Sequence, residues 1–418
     1  MRVLFLTNSY PPYELGGQGQ SCQQVVDGLE QKGHATLVLT SMRGTNNVPV
    51  EADGIYRLLY LETDMAPSRH SVTFFTKRKA REKHNLQSFE RVHEQFEPDV
   101  VFIWGMWNFP RSLPALFEAR CPGKVLYRFA EYWPILPSQH DIYWRAPARR
   151  WYSRFPKWLI GNIALAMLAK DNRRHALKFE HTMCVSAATR NVLVEAGIPV
   201  SNARIIHTGL DIKQYLNSAQ YDSSPENRRL NLLYAGRLTP YKGVHTTIKA
   251  MAKLVFDQGL QNISLSVAGS GAVEYENHLR LLVTQAGLTD YVSFLGQVPF
   301  AEMPKLLRKF DVLLVPSTWP EPFARMVLEG MISGLTVVAT PTGGTTEILK
   351  DGNNGLLFAP DDADDLAQKI ASLVADPELR RRLAHIGQQT VIERFTKTRM
   401  IAEIESYLQE VARLSTGT

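Results

Sequence analysis

Short apolar runs alternate along the chain with stretches in which apolar residues recur every three or four positions, the rhythm of βα units around a parallel sheet. In the first half the runs predict strands at 3–6, 36–40, 100–104, 124–129, 182–185 and 204–207, with helices between them. The stretch 217–229, carrying Ser223-Ser224-Pro225-Glu226-Asn227, lacks apolar periodicity and is rich in turn formers, which puts a domain boundary there. A second series predicts strands at 230–235, 264–268, 292–295, 312–316 and 336–339. Near the C-terminus, Met400, Ile401, Ile404, Leu408 and Val411 give one helix a single apolar stripe that must pack against something. The expected organisation is a first domain at 1–215, a linker at 216–229, a second domain at 230–396 and a closing helix at 397–418. Two doubly wound α/β domains facing each other would leave a ligand cleft at the carboxyl ends of both sets of strands, so the loops after strands are where chemistry is to be sought.

Composition narrows the class. With 418 residues, 44% of them apolar and 21% charged, the chain is too long for one small binding module and has material for sizeable cores. No apolar stretch reaches the roughly 18 residues that span a bilayer, and the run at 3–6 is too short for a signal peptide, so a cytoplasmic protein is expected. Cys22, Cys121 and Cys184 form no C-x-x-C pair and indicate neither a disulfide framework nor a zinc site. The net charge of +6 is unevenly shared: residues 1–210 hold 26 Lys or Arg against 18 Asp or Glu, whereas residues 211–418 hold 21 against 23. A basic first half can face nucleic acid, anionic lipid or a phosphorylated ligand, or simply be a solvated surface.

Three loops carry candidate chemistry. In Pro316-Ser317-Thr318-Trp319-Pro320-Glu321-Pro322-Phe323-Ala324-Arg325, Pro322 suits the first turn of a helix. The amides of Phe323, Ala324 and Arg325 would then be free at the positive end of the helix dipole, where a diphosphate can sit. Glu329 lies in an apolar run and needs a partner if buried, either the hydroxyls of a ribose or an Arg or Lys of the core. Glu321 is either a site residue or a helix cap. In Gly236-Arg237-Leu238-Thr239-Pro240-Tyr241-Lys242-Gly243, Arg237 and Lys242 follow a strand and would together neutralise a diphosphate leaving group, unless both are ordinary loop charges. Gly16-Gly17 follows the first strand and allows close backbone approach. The third glycine of G-x-G-x-x-G is replaced by Cys22, so a nicotinamide dinucleotide fingerprint fails.

Together these residues resemble the retaining glycosyltransferases of family four, most strongly over 231–395. The matching marks are Gly16-Gly17, Gly236-Arg237-Leu238 with Lys242-Gly243, Gly269-Ser270-Gly271, Glu321 and Glu329 as E-x7-E, Gly343-Gly344 with Glu347, and Asn354-Gly355 with Leu357. The resemblance implies a GT-B arrangement of two Rossmann-like doubly wound domains with an interdomain cleft. It implies that Arg237, Lys242 and Glu321 carry catalysis and that Glu329 binds the ribose of a UDP- or GDP-type donor. It also implies that Phe323, Ala324 and Arg325 contact sugar and phosphates, that Gly269 and Gly271 belong to the donor loops, that Gly16 and Gly17 approach the phosphates from the other domain, and that Gln297 and Val298 flank the base. Family members transfer with retention and usually without a bound metal or other cofactor. Many carry a cleft His before an acid after the strand at 124–129, whereas this chain has Ala130-Glu131, which leaves Glu131 as a sugar or acceptor contact.

The first domain is where this family generally binds its acceptor, and the positive surplus falls there. Residues 141–182 hold nine Arg or Lys against three acids, interleaved with Trp144, Trp151, Tyr152, Phe155 and Trp158. The tryptophans are seven apart, but Pro147 and Pro156 argue against one continuous helix. This region either meets an anionic membrane surface or a lipid-linked phosphorylated acceptor, or packs its aromatics over the domain. No RNA- or DNA-binding motif accompanies the charge, so nucleic acid is not an expected partner. The expected activity is transfer of a hexose-type sugar from a nucleotide diphosphate sugar to a hydroxyl acceptor, with envelope, polysaccharide or glycoconjugate assembly as candidate settings, by a cytoplasmic protein that is peripheral at the inner membrane face only under the first of those two readings. The rivals are a sugar epimerase or sugar-phosphate synthase on the same scaffold, and a non-catalytic sugar-nucleotide binder.

Overall fold

The computed structural model describes residues 1–13, 17–62, 70–148, 150–216 and 229–414. The chain forms two compact units, one of Met1–Ile206 with Ile401–Thr418 and one of His207–Met400.

Among the described residues the first unit is built on eight strands: β1 (Arg2–Thr7), β2 (Ala35–Ser41), β3 (Val50–Ala52), β4 (Ile55–Leu59), β5 (Val100–Ile103), β6 (Val125–Phe129), β7 (His181–Cys184) and β8 (Arg204–Ile205). Their order is β3-β4-β2-β1-β5-β6-β7-β8, parallel except for β3. The second unit has six: β9 (Leu230–Ala235), β10 (Ile263–Ala268), β11 (Val292–Gly296), β12 (Val312–Val315), β13 (Thr336–Ala339) and β14 (Leu356–Leu357), ordered β11-β10-β9-β12-β13-β14 and all parallel. In each sheet the chain first winds outward from the middle and then returns to the other side, so direction reverses between β1 and β5 and between β9 and β12. Ligands of open α/β sheets bind at that reversal, beyond the carboxyl ends of the strands.

Burial explains why the runs are continuous. Leu232, Tyr234, Val312, Leu314 and Val338 enter one core of the second unit, while Leu233, Ala235, Leu313, Val337 and Ala339 enter the core on the opposite face of the same sheet. Successive residues of a strand point to opposite faces, so a sheet covered on both sides demands apolar residues at every position. The β3–β4 hairpin escaped this logic because all three residues of β3 are exposed. Its sign was the turn Asp53-Gly54, both with positive φ as a type I′ hairpin turn requires.

The units divide at Ile206/His207, ahead of the linker expected at 216–229, of which residues 217–228 lie outside the described residues. The reason is local. The Leu210 amide donates to the Phe395 carbonyl at 2.8 Å, the Lys397 amide donates to the Leu210 carbonyl at 2.7 Å, and Tyr215 is buried in a core of the second unit. The last helix, Lys397–Leu414, belongs to the first unit from Ile401 onward. Gly28 leaves room for the Ile401 side chain, Glu405 meets Lys32 and, at 2.8 Å, His34, and Ile404, Leu408 and Val411 are fully buried. Leu408→Ala should therefore lower unfolding stability by about 3 kcal/mol, whereas exposed Ser406→Ala should change it by less than about 0.5 kcal/mol. Denaturant titration of both variants checks this, and equal midpoints would show that the stripe does not anchor the helix.

Candidate functional site

The loops after β9 and β12 meet at the reversal of the second sheet. Lys242 Nζ contacts Glu321 Oε1, which also accepts from Ser317 Oγ at 2.7 Å. The loops are also joined through the backbone: the Thr318 amide donates to the Tyr241 carbonyl at 2.9 Å. Gly243, with φ of 71°, sits so close to the other loop that a Cβ there would overlap the Pro316 carbonyl oxygen. From the far side, the Gly344 amide after β13 donates to the Glu321 carbonyl at 2.7 Å. Three loops thus fix one carboxylate and one ammonium at the carboxyl edge.

Arg237 lies in the β9 loop with its guanidinium exposed and in no ion pair among the described residues, while its carbonyl accepts from the Tyr234 hydroxyl at 2.8 Å. Gly269 and Gly271, after β10, pack on this same loop. Gly269 has φ of 143° and no space for a Cβ beside the Gly236 carbonyl, and Gly271 bridges to Leu238. Their observed role is to let two loops touch. Gln297 is exposed and Val298 half-buried beyond β11, joined to this group through the Gly269 amide, which donates to the Gly296 carbonyl at 2.7 Å.

The helix after β12 starts later than Pro322 suggests. It spans Arg325–Ile332, and the Arg325 amide donates to the Phe323 carbonyl at 2.8 Å, so of the three expected free amides only those of Phe323 and Ala324 make no hydrogen bond among the described residues. Two prolines, Pro320 and Pro322, hold the loop extended for longer than the first-turn rule anticipates. Glu329 is buried, one turn along this helix, and Arg325 Nε donates to its Oε1 at 2.7 Å. In this structure its partner is therefore the core arginine, with Tyr215 beside both; burial, then the Glu329 carboxylate, push that phenol well above its ordinary range. Phe323 stacks on His207 at 5.2 Å, and His207 Nε2 lies 3.0 Å from Glu347. Ser317, Tyr215 and His207 were not foreseen. Ser317 was legible as a hydroxyl in a post-strand loop, whereas Tyr215 and His207 reach the group only through the packing of 207–216 on the second unit.

In the first unit, Gly16 lies outside the described residues and Gly17 opens the helix Gly17–Gln31. The next residue, Gln18, donates to the Ala130 carbonyl at 3.5 Å and accepts from Trp104 Nε1 at 3.1 Å through its own carbonyl, so the Gly17 turn and Glu131 belong to one neighbourhood. Arg128 stacks 4.0 Å from the centre of the Trp104 ring, and burial pushes its guanidinium down to about 10. Glu131 Oε1 is shielded from solvent and makes no hydrogen bond among the described residues, and burial pushes the carboxyl up to about 7 against the opposing pull of Arg128.

The basic, aromatic segment divides. Trp144 is buried with Phe74, Ala164 and Leu168, whereas Trp151, Phe155 and Trp158 are 80%, 70% and 62% exposed. The proline reading holds: one helix ends at Arg145, and the next, Arg154–Arg174, takes Pro156 in its first turn. Among the described residues no helix is long and apolar enough to cross a membrane, and no cluster of His, Cys, Asp or Glu could hold a metal ion.

Residues 15–214 match the model of Glycosyltransferase Family 4, and residues 220–390 match that of glycosyl transferases group 1. The chain belongs to this glycosyltransferase family. A lipopolysaccharide core biosynthesis glycosyltransferase of Rhizobium meliloti is 33% identical over 177 residues, 42% of this chain and 48% of that protein. An uncharacterised glycosyltransferase of Methanocaldococcus jannaschii is 29% identical over 206 residues, 47% of this chain and 51% of that one. The match thus spans about half the length of these curated relatives. The crystal structure of the Anabaena protein HepE with UDP and glucose aligns with a TM-score of 0.66 at 22% identity, covering 97% of this chain and 99% of that one. That likeness concerns the fold, which is of the GT-B type with two parallel-sheet α/β domains.

Glu131 generates a prediction in this family-four chain. Its carboxyl holds its proton to a higher pH folded than unfolded, so the folded state binds more protons between about pH 4.5 and 7, and stability from this group is lost as pH rises through about 7. Glu131→Gln should flatten the fall of Tm across that window and gain most on the wild type above it. Thermal unfolding at several pH values checks this, and parallel Tm profiles would remove the buried-carboxyl account.

Proposed function

We propose that the protein is a retaining hexosyltransferase that moves a sugar from a nucleotide diphosphate donor to a hydroxyl acceptor, with no bound metal or other cofactor. The observation that carries the reading is the junction of Lys242 with Glu321 at the reversal of the second sheet, with Arg237, in no ion pair among the described residues, on the same loop as Lys242. An ammonium has three donors, so Lys242 can hold Glu321 and still offer two to phosphate oxygens. Arg237 brings a planar fork suited to the same group. Their two positive charges answer the negative charge that develops on a departing diphosphate. The amides of Phe323 and Ala324 add neutral donors. Glu321, fixed by Ser317 and Lys242, orients the sugar hydroxyls, and Glu329 takes the ribose. HepE was solved with UDP, which favours a uridine diphosphate donor.

In the proposed step the bond from the anomeric carbon to the diphosphate oxygen breaks as the acceptor oxygen bonds to the same carbon on the face the diphosphate leaves. The acceptor proton passes to the departing phosphate oxygen. No protein nucleophile takes part, and configuration is retained.

The exposed aromatics between Trp151 and Trp158, with Arg150, Arg154 and Lys157 interleaved, support a protein working at the anionic inner face of a membrane on a lipid-linked acceptor. The M. jannaschii and R. meliloti relatives both carry the name of glycosyltransferase, and the second is named for lipopolysaccharide core biosynthesis, in keeping with an envelope role.

Glu321→Ala and Lys242→Ala should each cut acceptor-dependent release of nucleoside diphosphate by about 10²-fold or more while leaving circular dichroism unchanged. Wild-type rates in both variants would overturn the assignment. In co-sedimentation, the protein should pellet with phosphatidylglycerol vesicles and not with phosphatidylcholine vesicles, and Trp151→Ser with Trp158→Ser should weaken that binding. Failure to pellet with either would sink the membrane reading and leave the transfer reading standing.

A further inference from the structure

The first unit holds a cleft of about 560 Å³, part of it open to solvent, on elements that carry none of the donor candidates. Its walls are the helix His70–Phe96, the start of the helix Ser112–Arg120 and the inner stripe of the helix Arg154–Arg174. Three arginines line it, Arg78, Arg81 and Arg111.

The acids around the cleft are already answered. Asp171 pairs with Arg78 at 2.7 Å and Lys79 at 3.1 Å; Glu82 pairs with Lys79 at 2.8 Å and accepts from Ser112 at 2.5 Å. Glu62 is pushed up to about 7 by burial, so its negative charge is diminished as pH falls below neutral. Of the three arginines only Arg78 is answered by a carboxylate. Arg81 lies over the Tyr60 ring, 4.9 Å from its centre, and Arg111 donates only to the Pro134 carbonyl at 2.6 Å; neither makes an ion pair among the described residues. Arg81 Nη1 and the second terminal nitrogen of Arg78 are shielded from solvent and make no hydrogen bond among the described residues. Buried guanidinium donors without acceptors are unfavourable, and an entering anion removes that penalty.

We propose that this cleft binds a phosphate monoester or diester. One carboxylate is satisfied by a single planar fork, whereas three arginines converging from two helices suit a group that accepts at several oxygens in different directions. The helix Arg154–Arg174 lines the cleft with Leu168, Asp171 and Asn172 and exposes Phe155, Trp158 and Ile163 elsewhere on its surface. A phosphate in the cleft belongs either to a lipid headgroup or to a soluble phosphate compound.

The test uses the full chain carrying Arg237→Ala and Lys242→Ala, so that the donor-site cations take up no probe. Titration with inorganic phosphate, followed by ³¹P NMR line broadening, should show saturable binding that Arg81→Gln and Arg111→Gln each weaken by about tenfold. Asn172→Asp, nearly isosteric and on the cleft wall, should weaken it without removing an arginine from the packing. Undiminished binding in all three variants, or no saturable binding to the parent, overturns the site. Glycerol 3-phosphate and phosphatidylglycerol vesicles then separate the sources. Loss of vesicle binding in Arg81→Gln assigns the phosphate to a headgroup; loss of glycerol 3-phosphate binding alone assigns it to a soluble compound. None of these readouts requires sugar transfer, so the cleft and the transfer reaction stand or fall separately.

Discussion

The contact between Lys242 and Glu321 depends on two strands that neighbour each other in the sheet while belonging to opposite directions of winding. β9 pairs with β12 in register, Leu232 with Val312 and Tyr234 with Leu314, so the loops that leave these strands emerge side by side. Side-by-side emergence does not by itself bring side chains into contact. That takes backbone packing, which the Gly243 position permits and the hydrogen bond from Thr318 to the Tyr241 carbonyl completes. A substitution in this junction would therefore act on both charges at once. Gly269, packed against the Gly236 carbonyl of the β9 loop, and Gly344, donating to the Glu321 carbonyl, support it through the backbone rather than through side chains. Backbone contacts depend little on side-chain identity, so the frame can persist while the charged side chains it carries vary.

The surplus positive charge of the first half does not form a uniform basic surface. Arg57 is buried and donates to the carbonyls of Tyr10 and Pro11, Arg128 is buried against Trp104, and Arg78 is committed to Asp171. Among the described cations in no ion pair, Arg81 and Arg111 line one cleft, and Arg150, Arg154 and Lys157 lie on one exposed aromatic segment. The net figure of +6 therefore says less about partners than the two local groupings do.

Much of the fold was legible because strands buried on both faces write themselves as unbroken apolar runs, and all eleven expected strands are present. The exposed β3 and the two-residue β14 lack that imprint. The meeting of the loops after β9 and β12 was legible too, since charged residues that follow neighbouring parallel strands emerge at one edge of the sheet. The pairing of those charges was not. Glu329 carried no mark saying whether its partner was a ribose or Arg325, because the spacing of four that joins the two on a helix counts only once the helix is known to start at Arg325. The aromatic segment was ambiguous for the same reason: seven-residue spacing is compatible with burial or exposure, and only the packing of Trp144 on Phe74 separates the buried tryptophan from the exposed pair.

Both glutamates of the pair are occupied by protein cations, and that occupancy bears on how a donor would engage them. Glu321 Oε1 accepts from Ser317 and Lys242, while its other oxygen makes no hydrogen bond among the described residues. A sugar hydroxyl can approach that second oxygen without displacing Lys242. The pair then need not separate for the site to work, and the carboxylate is held in position before any ligand arrives. Glu329 differs, for it is buried, and Arg325 provides the charge that makes burial tolerable. A ribose hydroxyl reaching Glu329 would add a hydrogen bond to a compensated pair rather than rescue a lone charge. Its contribution would then be that of one charge-assisted hydrogen bond, and the larger share of donor affinity would have to come from the diphosphate at Arg237 and Lys242.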